Sequence, residues 1–176
     1  RRLEPVYDVE TLLRAMETLQ PELRQQLQVR VAGNGSQAEL LQRRVLDPPV
    51  RFLGWLAPQD LDREIRDAHV YVSTARSDST SVSLLEAMAA GCFPVVTDIA
   101  GNREWIRHEE NGLLFPCGNA EALARCLARA CAEAALRERA DPINRALVDE
   151  RACWERNMES VEALFIELGH NAAASR

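Results

Sequence analysis

Apolar positions along the chain recur at two periods, and the period switches repeatedly. Leu12, Leu13, Met16 and Leu19 fall at helical spacing and predict a helix over residues 10–19, stopped by Pro21. Residues 27–32 alternate as a strand and run into Gly33-Asn34-Gly35. A helix over residues 36–46 follows, with Ser36 as its cap and Glu39 three residues on. A short strand over 50–53 closes at Gly54-Trp55, residues 58–68 read as a helix, and 70–74 as a buried strand. The stretch from Ser77 to Gly91 predicts the next helix, 93–97 a strand, and 101–107 a short helix. Asn111-Gly112 marks a turn before a strand at 113–115. Leu123, Leu127, Ala130 and Ala134 then define a long helix over about 119–139.

Strand and helix alternating through connections of a few residues imply an α/β fold, a Rossmann-like parallel sheet with helices on both faces. Such a fold normally opens with a strand, yet only Arg1-Arg2-Leu3-Glu4-Pro5 precede the first helical pattern. The expectation is a chain cut near or inside its first strand, a piece of something longer. After Pro142 the pattern changes. Trp154, Met158, Val161, Phe165 and Leu168 form one apolar stripe, at spacings of four, three, four and three, that needs a partner surface. The domain is expected to span residues 1–168, with Gly169 ending the last helix and 169–176 a disordered tail.

Composition narrows the function classes. The chain has 176 residues, 47% of them apolar, enough for one domain with a real core. No run approaches the roughly 20 apolar residues of a membrane span, and no signal-peptide pattern opens the sequence. A formal charge of −6 argues against a general nucleic-acid binder. All 21 basic residues are arginine, so a phosphate clamp must use guanidinium groups, backbone amides and helix N-termini. Five cysteines without a C-x-x-C pair and three scattered histidines disfavour a zinc site. Reduced cytosolic thiols, with Cys126 and Cys131 as packing residues, are the expectation.

Ligands of an open parallel sheet bind beyond the carboxyl ends of its strands. Residues 1–8, 33–36, 54–60, 76–81 and 98–102 meet at that edge. They are rich in Gly, Ser, Thr, Asn and Arg, suited to phosphate and sugar hydroxyls, and hold no Ser/His/Asp set. One stretch there has two readings. Ser83-Leu84-Leu85-Glu86 fits a capping box in which Glu86 reaches back to the Ser83 amide. A helix starting nearer Thr80 instead sets Glu86 among Val82, Ala89 and Ala90 with no arginine in reach, a carboxylate awaiting a donor such as a ligand diol. Residue physics leaves the two even.

The residues around that stretch carry a resemblance. Asp78-x7-Glu86 with LLEAMAAGCFPVVTD resembles the Glu-x7-Glu segment of retaining GT-B glycosyltransferases of family 4. VAGNG, FLGW, AGNRE and ENGLLF match the family's flanking motifs in order, up to Phe115. The match is to the C-terminal, nucleotide-sugar-binding half. It implies that Glu86 accepts hydrogen bonds from the donor ribose and that Asp78, one carbon shorter than the usual glutamate, lies near the transferred sugar. Ser79-Thr80-Ser81 stands where the family has G-F-G, losing the glycines that let backbone amides approach closely, and Val82 follows as a further donor-binding position. Arg1 takes the position of the clamp arginine and Tyr7 that of the clamp lysine. Gly33 and Asn34 lie on the donor side, and Trp55 and Leu56 correspond to the base-binding loop, with Trp55 open to a packing role as well. Glu104 is read as structural, a first-turn acid suited to a helix N-terminus.

The resemblance implies the donor-binding domain of an enzyme that transfers a sugar from a nucleoside-diphosphate sugar to an acceptor hydroxyl, with no metal or other cofactor required. The acceptor, a glycan, lipid or small molecule, would bind an N-terminal domain outside this chain, so the fragment alone should not turn over. The Trp154 to Leu168 stripe resembles the terminal helix that packs toward that domain, and a homodimer could use it instead. Location is expected to be cytoplasmic, with membrane association open for the longer enzyme. Two other classes stay in view: a non-catalytic Rossmann-like assembly module, and a nucleotide-sugar epimerase of the same architecture.

Overall fold

A computed structural model describes residues 2–44 and 50–174, with 167–174 by backbone alone. The elements run α1 (Val9–Thr18), α2 (Pro21–Gln26), β1 (Val29–Ala32), α3 (Ala38–Arg44), β2 (Val50–Gly54), α4 (Pro58–Arg66) and β3 (Val70–Ser73). Then follow α5 (Val82–Ala90), β4 (Phe93–Thr97), α6 (Ala100–Arg103), β5 (Leu113–Phe115), α7 (Ala120–Ala132), α8 (Ala134–Ala152) and α9 (Trp154–Ala174). Every strand pairing is parallel: Val29 and Val31 of β1 lie opposite Val50 and Phe52 of β2. Val70 pairs with Phe93, and Val95 with Leu113. The strands form two sheets, β1–β2 and β3–β4–β5.

Side chains of a strand alternate between faces, and β4 shows the consequence. Val95 joins Leu12, Leu13, Met16, Leu123 and Leu127 beneath α1 and α7, while Val96 joins Leu84, Met88, Trp105 and Ile106 beneath α5 and α8. All five residues of β4 are buried, as befits a central strand covered on both sides. Pro94 is tolerated there because the β5 ladder begins one residue later, at Val95. A buried asparagine pair ties α8 to the turn before β5. Asn111 Nδ2 donates to Asn144 Oδ1 at 2.8 Å, and Asn144 Nδ2 donates back to the Asn111 carbonyl at 3.0 Å.

Several expectations are corrected. Pro21 both stops α1 and opens α2, since a proline at the first helical position lacks an N–H that would be unpaired anyway. Ser36 does not cap α3: its hydroxyl and amide both go to the Glu4 carboxylate, and Glu39 pairs with Arg43. Leu46, the expected end of that helix, lies outside the described residues. The long helix expected over 119–139 is two. Glu133 leaves helical geometry, at ψ 76°, and the Arg137 guanidinium donates back to the carbonyls of Ala130 and Cys131. Arginine from the second helix thereby satisfies the carboxyl end of the first. The short helix α6 ends at Arg103, and Glu104 is its C-cap. The argument that placed Glu104 at a helix N-terminus therefore fails, although its carbonyl does hold Arg151 at 2.8 Å. Helix α9 continues through Gly169 to Ala174, past the expected stop. On α9, Trp154 is 71% and Phe165 70% exposed, so the stripe is uncovered over its described residues, 154–165.

Candidate functional site

The strands end in loops that are stitched to one another along the carboxyl edge, largely through main chain. The Gly33 amide donates to the Gly54 carbonyl at 2.7 Å, joining the loops after β1 and β2. Gly33 holds φ at +138°, a region glycine enters readily. The Leu3 amide donates to the Asn34 carbonyl and the Leu3 carbonyl accepts from Gln37, both at 2.9 Å. Gly35 permits this approach: a Cβ there would lie 2.5 Å from the Leu3 carbonyl oxygen. Farther along, the Tyr7 carbonyl accepts from Thr74 Oγ1 at 2.7 Å, and the Val6 carbonyl from the Arg76 amide at 2.8 Å. Residues 3–7 thus bridge the ends of β1 and β3.

The loop after β3 is held from the other side by β4 and α6. Thr97 Oγ1 donates to the Ala75 carbonyl at 2.6 Å. Asn102, only 1% exposed, donates to the Thr97 carbonyl at 2.8 Å and fixes that threonine in turn. Gly101 sits directly against the Asp78-Ser79 backbone; a Cβ on it would meet the Ser79 carbonyl oxygen at 2.3 Å. Asp98 closes the arrangement with a two-point ion pair to Arg103, at 2.5 and 2.8 Å. The hydrogen bonds from that arginine hold the Asp98 carboxyl below the usual carboxylate range, which makes it a weaker base than a free carboxylate.

Helix α5 begins between the two starts the sequence offered, after Thr80 and before the Ser83 cap. Ser81 is its N-cap, with Oγ accepting from the Leu84 amide at 3.3 Å. The capping box on Ser83 and Glu86 is therefore absent, and so is a start at Thr80. The hydroxyls divide. Ser81 is buried at the cap, and Ser83 bonds Tyr71 Oη at 2.8 Å, so both face the protein. Ser79 and Thr80 are exposed. The amides of Val82 and Ser83 have no acceptor within the helix, as at any helix start, and leave its positive end open.

The expected site residues fall on or beside this rim. Gly33 and Asn34 follow β1, and Trp55 and Leu56 follow β2. Trp55 is 74% exposed, which rules out the packing role. Asp78 is half-buried and engaged with another group, and Val82 is exposed on the first turn of α5. Glu86, in the second turn, is exposed and has no hydrogen-bond or ion-pair partner among the described residues. Arg1 lies outside the described residues. Sequence reasoning missed three contributors. Arg76, exposed on the rim, pairs with the buried Asp8 at 3.0 Å. Asp8, in left-handed geometry at φ 45°, also accepts from Thr11 Oγ1 at 2.8 Å. Asn102 is the third. Arg76 could have been singled out as the first cation after a strand end; Asp8 and Asn102 act through tertiary contacts that carry no local signal.

A parallel sheet whose strand-end loops form a glycine- and hydroxyl-rich rim beside a helix N-terminus is the architecture of the nucleotide-binding half of a GT-B glycosyltransferase. The chain belongs to the family described as glycosyl transferases group 1, which it matches over residues 1–146. It is 34% identical over 115 residues to a phosphatidyl-myo-inositol mannosyltransferase of Mycobacterium leprae, a match covering 64% of this chain and 31% of that one. An uncharacterised glycosyltransferase of Methanocaldococcus jannaschii is 30% identical over 134 residues, covering 74% of this chain and 34% of its own. The match thus spans about a third of these relatives. Among solved structures, Anabaena HepE in complex with UDP superposes with a TM-score of 0.82 at 20% identity, covering 93% of this chain and 46% of that one. The C-terminal domain of the glycosyl transferase group 1 protein LpcC from Francisella tularensis gives 0.76 at 21% identity, with 87% and 83% covered.

Proposed function

We propose that this chain is the donor-binding domain of a retaining glycosyltransferase of family 4, which moves a sugar from a nucleoside-diphosphate sugar to an acceptor hydroxyl. The observation that carries the reading is Glu86, an exposed carboxylate beside the rim with no partner among the described residues. A charged acceptor so placed suits the two hydroxyls of a ribose. Anabaena HepE has been solved with UDP and with UDP-glucose, which supports a donor of that kind.

In this reading the diphosphate lies over the N-terminus of α5, where the Val82 and Ser83 amides and the helix dipole favour negative charge. Ser79 and Thr80 add hydroxyl donors where the motif has glycine and phenylalanine. Arg76 supplies a guanidinium from the rim, and Arg1 would add a second. Leaving-group charge is then stabilised by fixed dipoles and cations already in place, with no metal or other cofactor required. Asp78 faces the transferred sugar, and Gly33, Asn34, Trp55 and Leu56 face the donor from the far loops. The acceptor, a glycan, lipid or small molecule, binds a separate N-terminal domain. The uncovered stripe of α9 seats against that domain or against a second copy, and the enzyme works in the cytoplasm.

Titration of the enzyme containing both domains with UDP, GDP and ADP tests the reading. Glu86→Ala should weaken the preferred nucleotide about 10- to 100-fold, the worth of roughly 1.5–3 kcal/mol for hydrogen bonds to a charged group. The melting temperature should move by no more than about 2 °C, as for an exposed side chain. No binding of any of the three nucleotides would overturn the reading in favour of an assembly role.

A further inference from the structure

Among the described residues, two other than glycine hold a positive φ, Asp8 at 45° and Glu109 at 67°. Glu109 lies in the turn before β5, whereas Asp8 follows the bridge of residues 3–7 and directly precedes α1. Left-handed geometry is uncommon outside glycine, and at a candidate site it marks backbone that its surroundings hold in place. Helix capping does not explain it, since the Asp8 side chain accepts from no amide of α1. What the conformation does is bury a carboxylate beside a cation. The Asp8 side chain is 9% exposed, and its Oδ2 accepts from Thr11 Oγ1 at 2.8 Å and lies 3.0 Å from Arg76 Nη2.

Arg76 is held by its main chain as well. Its amide donates to the Val6 carbonyl at 2.8 Å, and its guanidinium lies between Asp8 and the turn at Gly118. A Cβ on that glycine would stand 3.6 Å from Nη2. Asp8 precedes α1, and Gly118 precedes the Asn119 cap of α7; both helices cover the Val95 face of the sheet. Helix α5 covers the opposite face. Arg76 therefore meets the rim from the side away from the α5 N-terminus. Residues 3–8 offer no cation of their own and carry the Glu4 and Asp8 carboxylates, so an anion on this side depends on Arg76. The Arg76 side chain is 59% exposed, and its Nε and Nη1 make no hydrogen bond among the described residues.

We propose that Asp8 is a positioning residue: granted the donor site proposed above, it holds the Arg76 guanidinium where it grips the second phosphate of the diphosphate. One phosphate lies over the α5 N-terminus, and a single helix end favours negative charge only within its own first turn. The other phosphate is met from the α1 side by the open donors of Arg76, whose fork matches phosphate oxygens. A guanidinium already held by a buried carboxylate loses less rotamer freedom on binding than one that swings free. The Asp8 charge itself repels a diphosphate, so it favours binding only through Arg76. The pair thereby separates diphosphates from monophosphates, which the α5 end alone can hold.

The enzyme containing both domains should be titrated with UDP, GDP and ADP and with their monophosphates. Asp8→Asn keeps an acceptor for Thr11 and a residue that tolerates left-handed geometry, and removes only the charge that holds Arg76. It should weaken the preferred diphosphate about tenfold, the worth of a charge-assisted hydrogen bond, and leave its monophosphate within about twofold. Adding Arg76→Gln to Asp8→Asn should change diphosphate affinity by no more than about twofold, because the guanidinium has already lost its place. Neither of these variants leaves a lone buried charge to unfold the protein. On Arg76→Gln alone, where the carboxylate stands unpaired, Asp8→Asn should act in the opposite direction and tighten the diphosphate. Equal losses for diphosphate and monophosphate would make Asp8 a purely structural residue and overturn the proposal. So would a further tenfold loss, about as large as the first, when Arg76→Gln joins Asp8→Asn. A parent that binds the diphosphate as tightly as Asp8→Asn does overturns this proposal alone, whereas a parent that binds none of the nucleotides overturns the donor-site reading with it.

Discussion

Gly101→Ala is the sharpest single test of how the rim is held. The new methyl group would lie 2.3 Å from the Ser79 carbonyl oxygen, 2.6 Å from that of Asp78 and 2.9 Å from the Ser79 carbonyl carbon. All three are main-chain atoms, so no rotamer change can relieve the contact, and something must move by about 1 Å. Overpacking of this kind costs up to about 3 kcal/mol, offset by up to about 1 kcal/mol for replacing a helical glycine with alanine. A net cost of about 2 kcal/mol can appear in either of two measurements. If the loop 76–81 keeps its place, the strain stays in the folded protein, and the melting temperature falls by about 4–8 °C for a chain of this size. If the loop swings away, stability is spared, but nucleotide binding must restore its position, and affinity drops up to about 30-fold. The losses read by calorimetric melting and by nucleotide titration should sum to about 2 kcal/mol. A variant that melts within about 1 °C of the parent and binds within about twofold would refute the close packing of α6 on the β3 loop.

Further expectations concern stability. Ser81→Ala removes the N-cap of α5 and should cost about 1 kcal/mol by urea unfolding, whereas Ser81→Asp, which can cap equally well, should recover most of it. Asn144→Ala leaves the buried Asn111 carbonyl unpaired and Asn111 Nδ2 with only its bond to the Trp105 carbonyl, and should cost about 2 kcal/mol with nucleotide affinity unchanged. Burial pushes the Cys92 thiol up to about 11, and its Sγ donates to the carbonyls of Ile65 and Ala68. The folded state therefore holds this proton more tightly than the unfolded chain. The resulting stability is intact below the unfolded pKa of about 8.5 and is lost as pH rises through 11. Urea unfolding at pH 8 and pH 11 should differ by about 2–3 kcal/mol on this account, a slope that Cys92→Ala lacks.

The elements of the fold were legible because their patterning is local. Leu12, Leu13 and Met16, or the buried run of β4, announce helix and strand within a few residues. What the pattern could not supply was tertiary choice. Ser36 and Ser83 each looked like caps, but Glu4 and Tyr71 compete for their hydroxyls from far along the chain. Glu133 ends a helix that periodicity alone would continue, since Arg137 can satisfy the carbonyls only after the chain has bent. The site was read in the same uneven way. LLEAMAAG singled out Glu86 as a candidate, whereas Asp8, Arg76 and Asn102 reach the rim through tertiary contacts.

Four links among the rim loops run from one backbone group to another: Gly33 to Gly54, Leu3 to Asn34 and Gln37, Val6 to Arg76. Such a frame is indifferent to the side chains mounted on it. Ser79 and Thr80 can therefore stand where relatives of the motif carry glycine and phenylalanine without the loops coming apart. Selection can exchange those exposed residues one at a time while the scaffold that presents them stays whole. Change is costly at points such as Gly35 and Gly101, where a single added carbon would collide with the frame itself, and at Thr97 and Asn102, whose side chains hold it.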